Sequence, residues 1–400
     1  EIPLRLVGSE MCIRDRYIVS YDLESNKYQN RLNVLASANK INYIISVLND
    51  LGYAVDIVST SQTLNKKCYK GNCEAFGINT IRRFPTTWRG GNLLKVINVL
   101  VMNISILMYL ILNIKKNEKI IIYHSVGNLW MLPILNKLKK AFVIEEVEEI
   151  YGDIFGKLKM AQKERGQLQY ASAYIYPTKL LNPVVNRSGK PFLVVHGAYK
   201  DNSYEYFSDK ASEEDSYFEE SVYHIGYTGI LDPKKGCLNI LETAKYLDST
   251  YHIHILGFGK DSDLQMVTKA IEVYTADKNI KCKVSYDGVR RGDAYTNYLK
   301  HLNLGVCPVD SSQGFINTQF PSKVITYLVA GLPVLCSEAE SVLTSDIAEA
   351  IMFYNGNRPE DIAKAIISSR ENKSIKSPSN ILEQCDVHFR TELFNILKNN

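Results

Sequence analysis

Two lysine-bearing turns and one run of carboxylates are the parts of this sequence best equipped for chemistry. The first turn is Phe320, Pro321, Ser322, Lys323, Val324, Ile325, Thr326, Tyr327, Leu328, followed by Ala330, Gly331, Leu332, Pro333 and Val334. It reads as a loop ending in Pro, a helix opened by Ser-Lys, a Gly that stops the helix and a Pro-led apolar strand. A helix start leaves backbone N–H groups without intrahelical partners and carries partial positive charge, so it suits an anion such as a diphosphate. Lys323 in the first turn points the same way, because a cation is disfavoured there unless something negative arrives. The second turn is Tyr227, Thr228, Gly229, Ile230, then Asp232, Pro233, Lys234, Lys235 and Gly236. Gly229 lets backbone approach a ligand closely, and Lys235 can neutralise a phosphate.

The carboxylates are Glu145, Glu146, Glu148 and Glu149, directly after the apolar Phe142 to Ile144. Four carboxylates at one strand end repel one another, so those facing a cleft are expected to hold raised pKa values. Glu146 or Glu148 is the expected functional member. A solvated helix start, which welcomes negative charge, accounts for two or three of the four without any function. Leu256, Gly257, Phe258, Gly259 and Tyr286, Asp287, Gly288 read as further turns at strand ends, the first of them without a ligand. His196 with Gly197, and His124 with Ser125, also follow apolar runs; His196 reads as a hydrogen-bonded turn residue and His124 as pointing into a cleft. The seven His are read as lacking metal-ligand spacing, so no metal is expected and Lys235 and Lys323 supply the positive charge.

The elements that must carry these groups alternate short apolar runs with helix-periodic ones, which favours an α/β parallel sheet. Tyr17 to Tyr21, Ala54 to Ser59, Ile120 to Tyr123, Phe142 to Glu145, Tyr174 to Tyr176 and Phe192 to Val195 read as strands of a first domain, with a helix over Leu32 to Leu51 stopped by Gly52. After an acidic, Ser- and Tyr-rich connector, Asp201 to Glu220, a second set reads Val222 to Tyr227, His252 to Leu256, Lys283 to Tyr286, Leu304 to Cys307, Val334 to Cys336 and Ile351 to Phe353. Ile381 to Leu397 is helix-like. Two such domains in tandem place a ligand between them, outside the carboxyl ends of the strands.

Taken together, the two lysine turns and their order resemble the nucleotide-binding signature of GT-B glycosyltransferases, specifically the family 4 (group 1) enzymes of bacterial surface polysaccharide synthesis. The resemblance implies an α/β protein of the GT-B class, with two Rossmann-like doubly wound domains facing a central cleft. It implies transfer of a sugar from a nucleotide diphosphate sugar to a glycan or polyprenyl-linked acceptor, with retention and without a metal or cofactor. Ser322, Lys323, Gly229 and Lys235 would hold the donor diphosphate, Gly288 and Val289, with Arg290, would lie beside the base, and Lys323, Lys235, Glu146 and Glu148 would be catalytic. A glutamate at Glu146 or Glu148 would position an acceptor hydroxyl or stabilise positive charge on the sugar ring. The chain departs from the family where Thr326 replaces the Glu that holds the donor ribose, where Gln313 replaces an acidic residue before Gly-Phe, and where Ile230 replaces an Arg. A Thr hydroxyl can share a hydrogen bond but supplies no charge. Two rival readings stand beside the transferase: a catalytically silent scaffold of the same fold in a polysaccharide assembly complex, and a sugar-nucleotide epimerase.

The bulk properties agree with a two-domain globular chain. Four hundred residues exceed what one core serves, and a net charge of +4 is too small to argue for nucleic acid. The eight Cys show no C-x-x-C spacing and read as reduced thiols of a cytoplasmic protein, with Cys68 and Cys73 able to join in an oxidising compartment. Residues 1–16 look like translated sequencing adapter and are set aside as a non-native leader, with the true start of the first strand expected to be lost. The expected domains are then 17–198 on the acceptor side, 199–380 for the nucleotide sugar, and 381–400 as a helix crossing back. Leu93 to Ile114 is the longest apolar run, near the roughly 20 residues a bilayer requires, but dotted with polar residues. It reads either as an ordinary buried helix or as one partly in the core and partly on the inner membrane face, with Arg82, Arg83, Arg89, Lys115 and Lys116 near anionic lipid.

Overall fold

The structure, a computed structural model, describes residues 13–23, 26, 28–32, 35–65, 67–87, 91–116, 118–200, 218–232, 236–309, 318–371 and 377–398. The first half runs β1 (Ile13–Val19), α1 (Leu35–Asp50), β2 (Tyr53–Ser59), β3 (Asn72–Phe76), β4 (Asn79–Arg83), α2 (Gly91–Asn113), β5 (Lys119–Tyr123), α3 (Met131–Lys139), β6 (Phe142–Glu146), α4 (Tyr151–Ile154), α5 (Leu158–Leu168), β7 (Ala173–Tyr176), α6 (Asn182–Val185) and β8 (Phe192–Val194). Its strands form one sheet in the order β3-β4-β2-β1-β5-β6-β7-β8, parallel except for the β3–β4 hairpin. The second half runs β9 (Tyr223–Ile230), α7 (Cys237–Glu242), β10 (Tyr251–Phe258), α8 (Asp261–Ala276), β11 (Lys283–Tyr286), α9 (Gly292–Lys300), β12 (Leu304–Cys307), α10 (Lys323–Val329), β13 (Val334–Ser337), α11 (Glu340–Leu343), β14 (Met352–Tyr354), α12 (Pro359–Glu371) and α13 (Pro378–Lys398). Its sheet is parallel throughout, in the order β11-β10-β9-β12-β13-β14.

Every residue of β2, β7, β12 and β13 is buried, as parallel strands covered on both faces require. Helix α1 turns Ile41, Ile44, Ile45 and Leu48 into the core, the spacing of one helical face. In each sheet the strand order reverses once, between β1 and β5 and between β9 and β12. Such reversals open a crevice at the carboxyl ends of the flanking strands.

Three sequence expectations change here. Strand β1 begins at Ile13, paired with Tyr53, so residues 13–16 of the segment set aside as a leader continue the ladder. Ladder hydrogen bonds come from backbone, so polar residues can extend a strand that apolar pattern alone starts at Tyr17. The β3–β4 hairpin was not expected, because β3 lies at the sheet edge with its side chains largely exposed and carries no apolar alternation. Arg83, expected near lipid, is buried and pairs with Asp22 and Glu74 at 2.6 Å each, while the Arg82 guanidinium lies 4.6 Å from the Tyr109 ring centroid. Arg89 lies outside the described residues. Cys68 and Cys73 are exposed free thiols.

Helix α2 is apolar on two sides. Met102, Ile106 and Leu110 are buried in the first domain, while Leu93, Val96, Leu100, Ile104, Met108 and Leu112 are each more than half exposed. It is long and apolar enough by composition to cross a membrane, with only 22% of its window buried.

One core cluster runs from Tyr17 and Ile44 of the first domain through Tyr327 of α10 to Phe389 and Leu393 of α13. At its centre is Asp386, 2% exposed, which accepts a hydrogen bond from Tyr43 Oη at 2.7 Å and pairs with Lys200 at 2.6 Å and Arg390 at 2.9 Å. Although burial works to raise it, these donors hold the Asp386 carboxyl below the ordinary range. A second buried network lies inside the first domain. Glu164 accepts from His124 Nε2 at 2.6 Å and from the Tyr151 and Gly152 N–H groups at 2.9 Å, so it caps α4 from outside the helix. Glu145 lies 3.7 Å from His124 Nδ1 on the other side. Burial works against a charged His124, yet the two carboxylates push it up to about 9, and burial pushes Glu145 up to about 7.

Asp386→Ala is expected to cost about 3 kcal/mol of stability, since it strands a buried tyrosine hydroxyl and two cations; an unchanged urea midpoint would contradict this. The His124 shift is upward, so its contribution is complete below the ordinary value of 6.5 and is lost as pH rises towards about 9. Melting temperature should therefore fall across that window, and His124→Gln should flatten the fall.

Candidate functional site

One half of the candidate site is built where β9 and β12 part. Helix α10 is held there by Val324, Ile325, Tyr327 and Leu328, all buried. Tyr327 Oη accepts the Thr228 N–H at 2.9 Å, which ties the helix to the end of β9. Ser322 at the head of α10 is exposed. Lys323 Nζ sits 3.6 Å from the centroid of the Tyr227 ring, a cation over an aromatic face on the strand that ends in Gly229. The structure therefore brings Ser322, Lys323 and Gly229 to one place. Tyr227 is the partner that spacing did not reveal, because it stands on a strand nearly a hundred residues upstream.

Gly229 has φ +118° and open space where a side chain would begin. Its neighbour Gly257, φ +143°, could carry no Cβ, which would stand 1.8 Å from the Gly229 carbonyl. Gly257 thus serves close packing of the two strand ends, in keeping with a ligand-free turn. Gly288 has φ +76° and its carbonyl accepts the Gly257 N–H at 2.9 Å; Val289 beside it is exposed, and the Arg290 guanidinium lies 4.5 Å from the Tyr298 ring centroid. Thr326 Oγ1 donates back to the Ser322 carbonyl at 3.3 Å, so its hydroxyl is spent within its own helix. Lys235 and Gln313 lie outside the described residues.

The facing half comes from the end of β6. Successive strand residues point to opposite faces, which separates Glu145, on the His124 side, from Glu146. Glu146 is fully buried; Tyr17 Oη donates to it, and Lys40 Nζ lies 3.5 Å away while also pairing with Glu148. Burial pushes Glu146 up to about 7, with Lys40 pulling it down and Glu148 adding to the rise. The sequence expected raised values from mutual repulsion in a cleft; the larger cause is burial, and the raised pair is Glu145 and Glu146. Burial also works to lower Lys40, but Glu148 and Glu146 outweigh it and raise that ammonium. Glu148 keeps 26% of its side chain exposed, so of the two it is the one a bound molecule can reach.

Glu149 was not singled out from its neighbours, yet its carboxylate accepts from Gln319 Nε2 at 2.7 Å across the cleft. Gln319 stands three residues before Ser322, so this bond sets the acidic strand end against the lysine turn. His196 closes the junction nearby: Nδ1 donates to the Pro177 carbonyl at 2.7 Å, and the ring stacks on Phe320 at 4.6 Å. His124, expected to point into the cleft, is instead buried between Glu145 and Glu164. Asp261 and Asp263, an Asp-x-Asp pair passed over in the sequence, stand in the first turn of α8, where they complement the helix dipole.

A cavity of about 360 Å³ opens on the first domain, lined by Ser20, Thr60, Gln62 and Asn128 beyond the ends of β1, β2 and β5 and by Met102 and Asn103 of α2. It occupies the first sheet's crevice, as Lys323 and Gly229 occupy the second sheet's.

Residues 222–372 match the family model described as "Glycosyl transferases group 1". Solved structures share the whole architecture at low identity. An alpha,alpha-trehalose-phosphate synthase (UDP-forming) from Burkholderia xenovorans, in complex with glucose-6-phosphate, aligns over 96% of this chain and 99% of its own at 9% identity and TM-score 0.70. Sucrose-phosphate synthase from Thermosynechococcus elongatus aligns over 96% and 97% at 12% identity and TM-score 0.69. The trehalose-6-phosphate protein from E. coli bound with UDP-2-fluoro glucose aligns over 96% of each chain at 12% identity and TM-score 0.64. No curated protein matches the chain in sequence. The second domain is thus a glycosyl transferases group 1 domain, the two facing parallel sheets are the GT-B fold, and the chain is a glycosyltransferase.

Proposed function

We propose that this glycosyltransferase takes its sugar from a nucleotide diphosphate sugar held at the β9/β12 crevice and passes it to an acceptor seated on the first domain. The observation that carries the reading is the meeting of Lys323, Tyr227 and Gly229 at that crevice, opposite the Glu149–Gln319 bond. As the donor bond breaks, negative charge grows on the departing diphosphate. A cation and backbone N–H groups that hold it better then than before lower the barrier. Lys235, Ser322 and Lys323 grip the diphosphate, and Gly288 and Val289 lie beside the base. Glu148 serves the acceptor hydroxyl, with Glu146 and Lys40 positioning it. Transfer is retaining and uses no metal, in the manner of family 4 enzymes of surface polysaccharide synthesis.

The acceptor is a glycan carried on a lipid, and the enzyme works at the cytoplasmic face of the membrane. Two observations support this. The first-domain cavity is roofed by α2, and the outer side of the same helix is an apolar stripe from Leu93 to Leu112, with the exposed Lys115 and Lys116 at its end. An apolar face with a basic flank lies in the interface of an anionic bilayer.

A second reading, a silent scaffold that binds no donor, is favoured by Thr326, whose hydroxyl is turned to its own helix where the family carries a ribose-binding Glu.

A screen of sugar nucleotides for thermal stabilisation separates the two, because a bound donor must raise the melting temperature and a scaffold shows no shift with any of them. On the donor so found, Lys323→Ala should lower kcat/KM by about 100-fold or more, and retained turnover would refute the assigned role. Vesicles containing phosphatidylglycerol should sediment the wild type but not a Leu100→Glu, Ile104→Glu variant; equal sedimentation of both would remove α2 from the membrane reading.

A further inference from the structure

The wall of the first-domain cavity carries polar groups that the protein does not use itself. Thr60 and Asn128, 8% and 5% exposed, line it together with the partly buried Ser20, Gln62 and Asn103. Among the described residues none of these five side chains makes a hydrogen bond, although each offers a hydroxyl or an amide. None of their nitrogen and oxygen atoms is sealed off either, so they open onto the cavity. Buried amides and hydroxyls are costly to leave unpaired, and five around one space are a set that an entering molecule completes.

The chemistry of that molecule is limited by what the wall lacks. Among the described residues no charged side chain lines the cavity. Charges that stand next to its walls in sequence are committed elsewhere. Arg31, beside Leu32, is buried and gives its guanidinium to Gln29 at 2.8 Å and to the Ser61 and Phe84 carbonyls at 2.8 and 2.7 Å. His124, beside Ser125, is held between Glu145 and Glu164. A phosphate or carboxylate entering here would lose water and meet no cation, which is strongly unfavourable. Amides and hydroxyls both donate and accept, as sugar hydroxyls do, while Leu32, Leu64 and Met102 offer apolar wall to the C–H face of a ring.

We propose that this cavity selects an uncharged sugar as the residue that receives the transferred one, with Thr60 and Asn128 as its buried contacts and Gln62 and Asn103 as its outer ones. The inference rests on the reading of the first domain as the acceptor side and narrows it to a neutral ring, against a sugar phosphate or an acidic sugar. The cavity lies beyond the ends of β1, β2 and β5, and Glu148 follows the end of β6, the neighbour of β5 in the same parallel sheet. Selecting group and accessible carboxylate therefore share one end of the sheet.

The test reads binding without turnover, on the full chain with its methionine methyl groups labelled with ¹³C. Methyl glycosides of glucose, galactose, mannose and N-acetylglucosamine are titrated singly, beside glucose 6-phosphate and glucuronic acid. At least one neutral glycoside should move the Met102 signal and leave that of Met108, on the outer side of α2, in place. Both anions should bind at least about 10-fold more weakly than that glycoside. Gln62→Ala and Asn103→Ala should each weaken it by about 3- to 10-fold, the loss of a neutral hydrogen bond, and Asn128→Leu should abolish the Met102 shift. Should Asn128→Leu fail to fold, the Gln62 and Asn103 variants decide. An anion bound as tightly as the best glycoside, an affinity unchanged in both Gln62→Ala and Asn103→Ala, or a Met102 signal that no glycoside moves at roughly 50 mM would each overturn the assignment. Sugar-nucleotide stabilisation is measured in parallel: glycoside binding without it keeps this pocket and strikes the donor reading, whereas stabilisation without any glycoside shift strikes the pocket alone.

Discussion

A glycosyltransferase of this architecture works only if the carboxyl ends of two separate parallel sheets face each other, and here the last helix carries much of that burden. Asp386 of α13 is buried among Tyr43 of α1, Lys200 after β8 and Arg390, and Arg390 reaches on to Asp50 at 2.6 Å. The same helix packs against α10, whose first residue is Lys323. A single buried carboxylate with three donors is a costly thing to leave unpaired, so α13 has one favourable seating on the first domain. The position of Lys323 relative to the acidic strand end follows from that seating, and the Glu149–Gln319 bond records it across the cleft.

Within this frame charge is sorted by the pleat of one strand. Glu145 and Glu146 are neighbours in sequence but face opposite sides of the first sheet, one towards His124 and one towards Tyr17 and Lys40. Each is buried, and burial is the largest cause that lifts its pKa, with Glu148 adding to the rise at Glu146. Only beyond the strand end do carboxylates become accessible, as Glu148 and Glu149. Opposite them Lys323 rests over an aromatic ring, a placement that keeps a cation close to the crevice. The arrangement suits a ligand that brings its own negative charge.

Helix α2 resolves a question that its composition leaves open. Half of its apolar surface builds the first domain's core through Met102, Ile106 and Leu110, and half is bare to solvent. A large apolar face at the surface ordinarily marks an interaction site, and this one lies next to the first-domain cavity.

Much of the fold followed from local pattern. An apolar run such as Leu304 to Cys307 coincides with β12, because strands buried on both faces must be apolar throughout. The Ser-Lys helix start and the Gly that stops it were likewise written in short-range terms. Elements whose stability comes from pairing rather than burial were not: the β3–β4 hairpin and the first four residues of β1 are held by ladder bonds that any side chain permits. Side-chain partners were beyond reach for the same reason, since Lys323 with Tyr227 and Gln319 with Glu149 are joined only by the crossing of distant segments. Residue order by itself determined which stretches become most of the strands and helices and where the turns between them fall, because those depend on periodicity and backbone chemistry along a few residues. Which carboxylate is sealed and which is open, and where the lysine rests, were decided by tertiary structure, because burial and contact are properties of the packed chain.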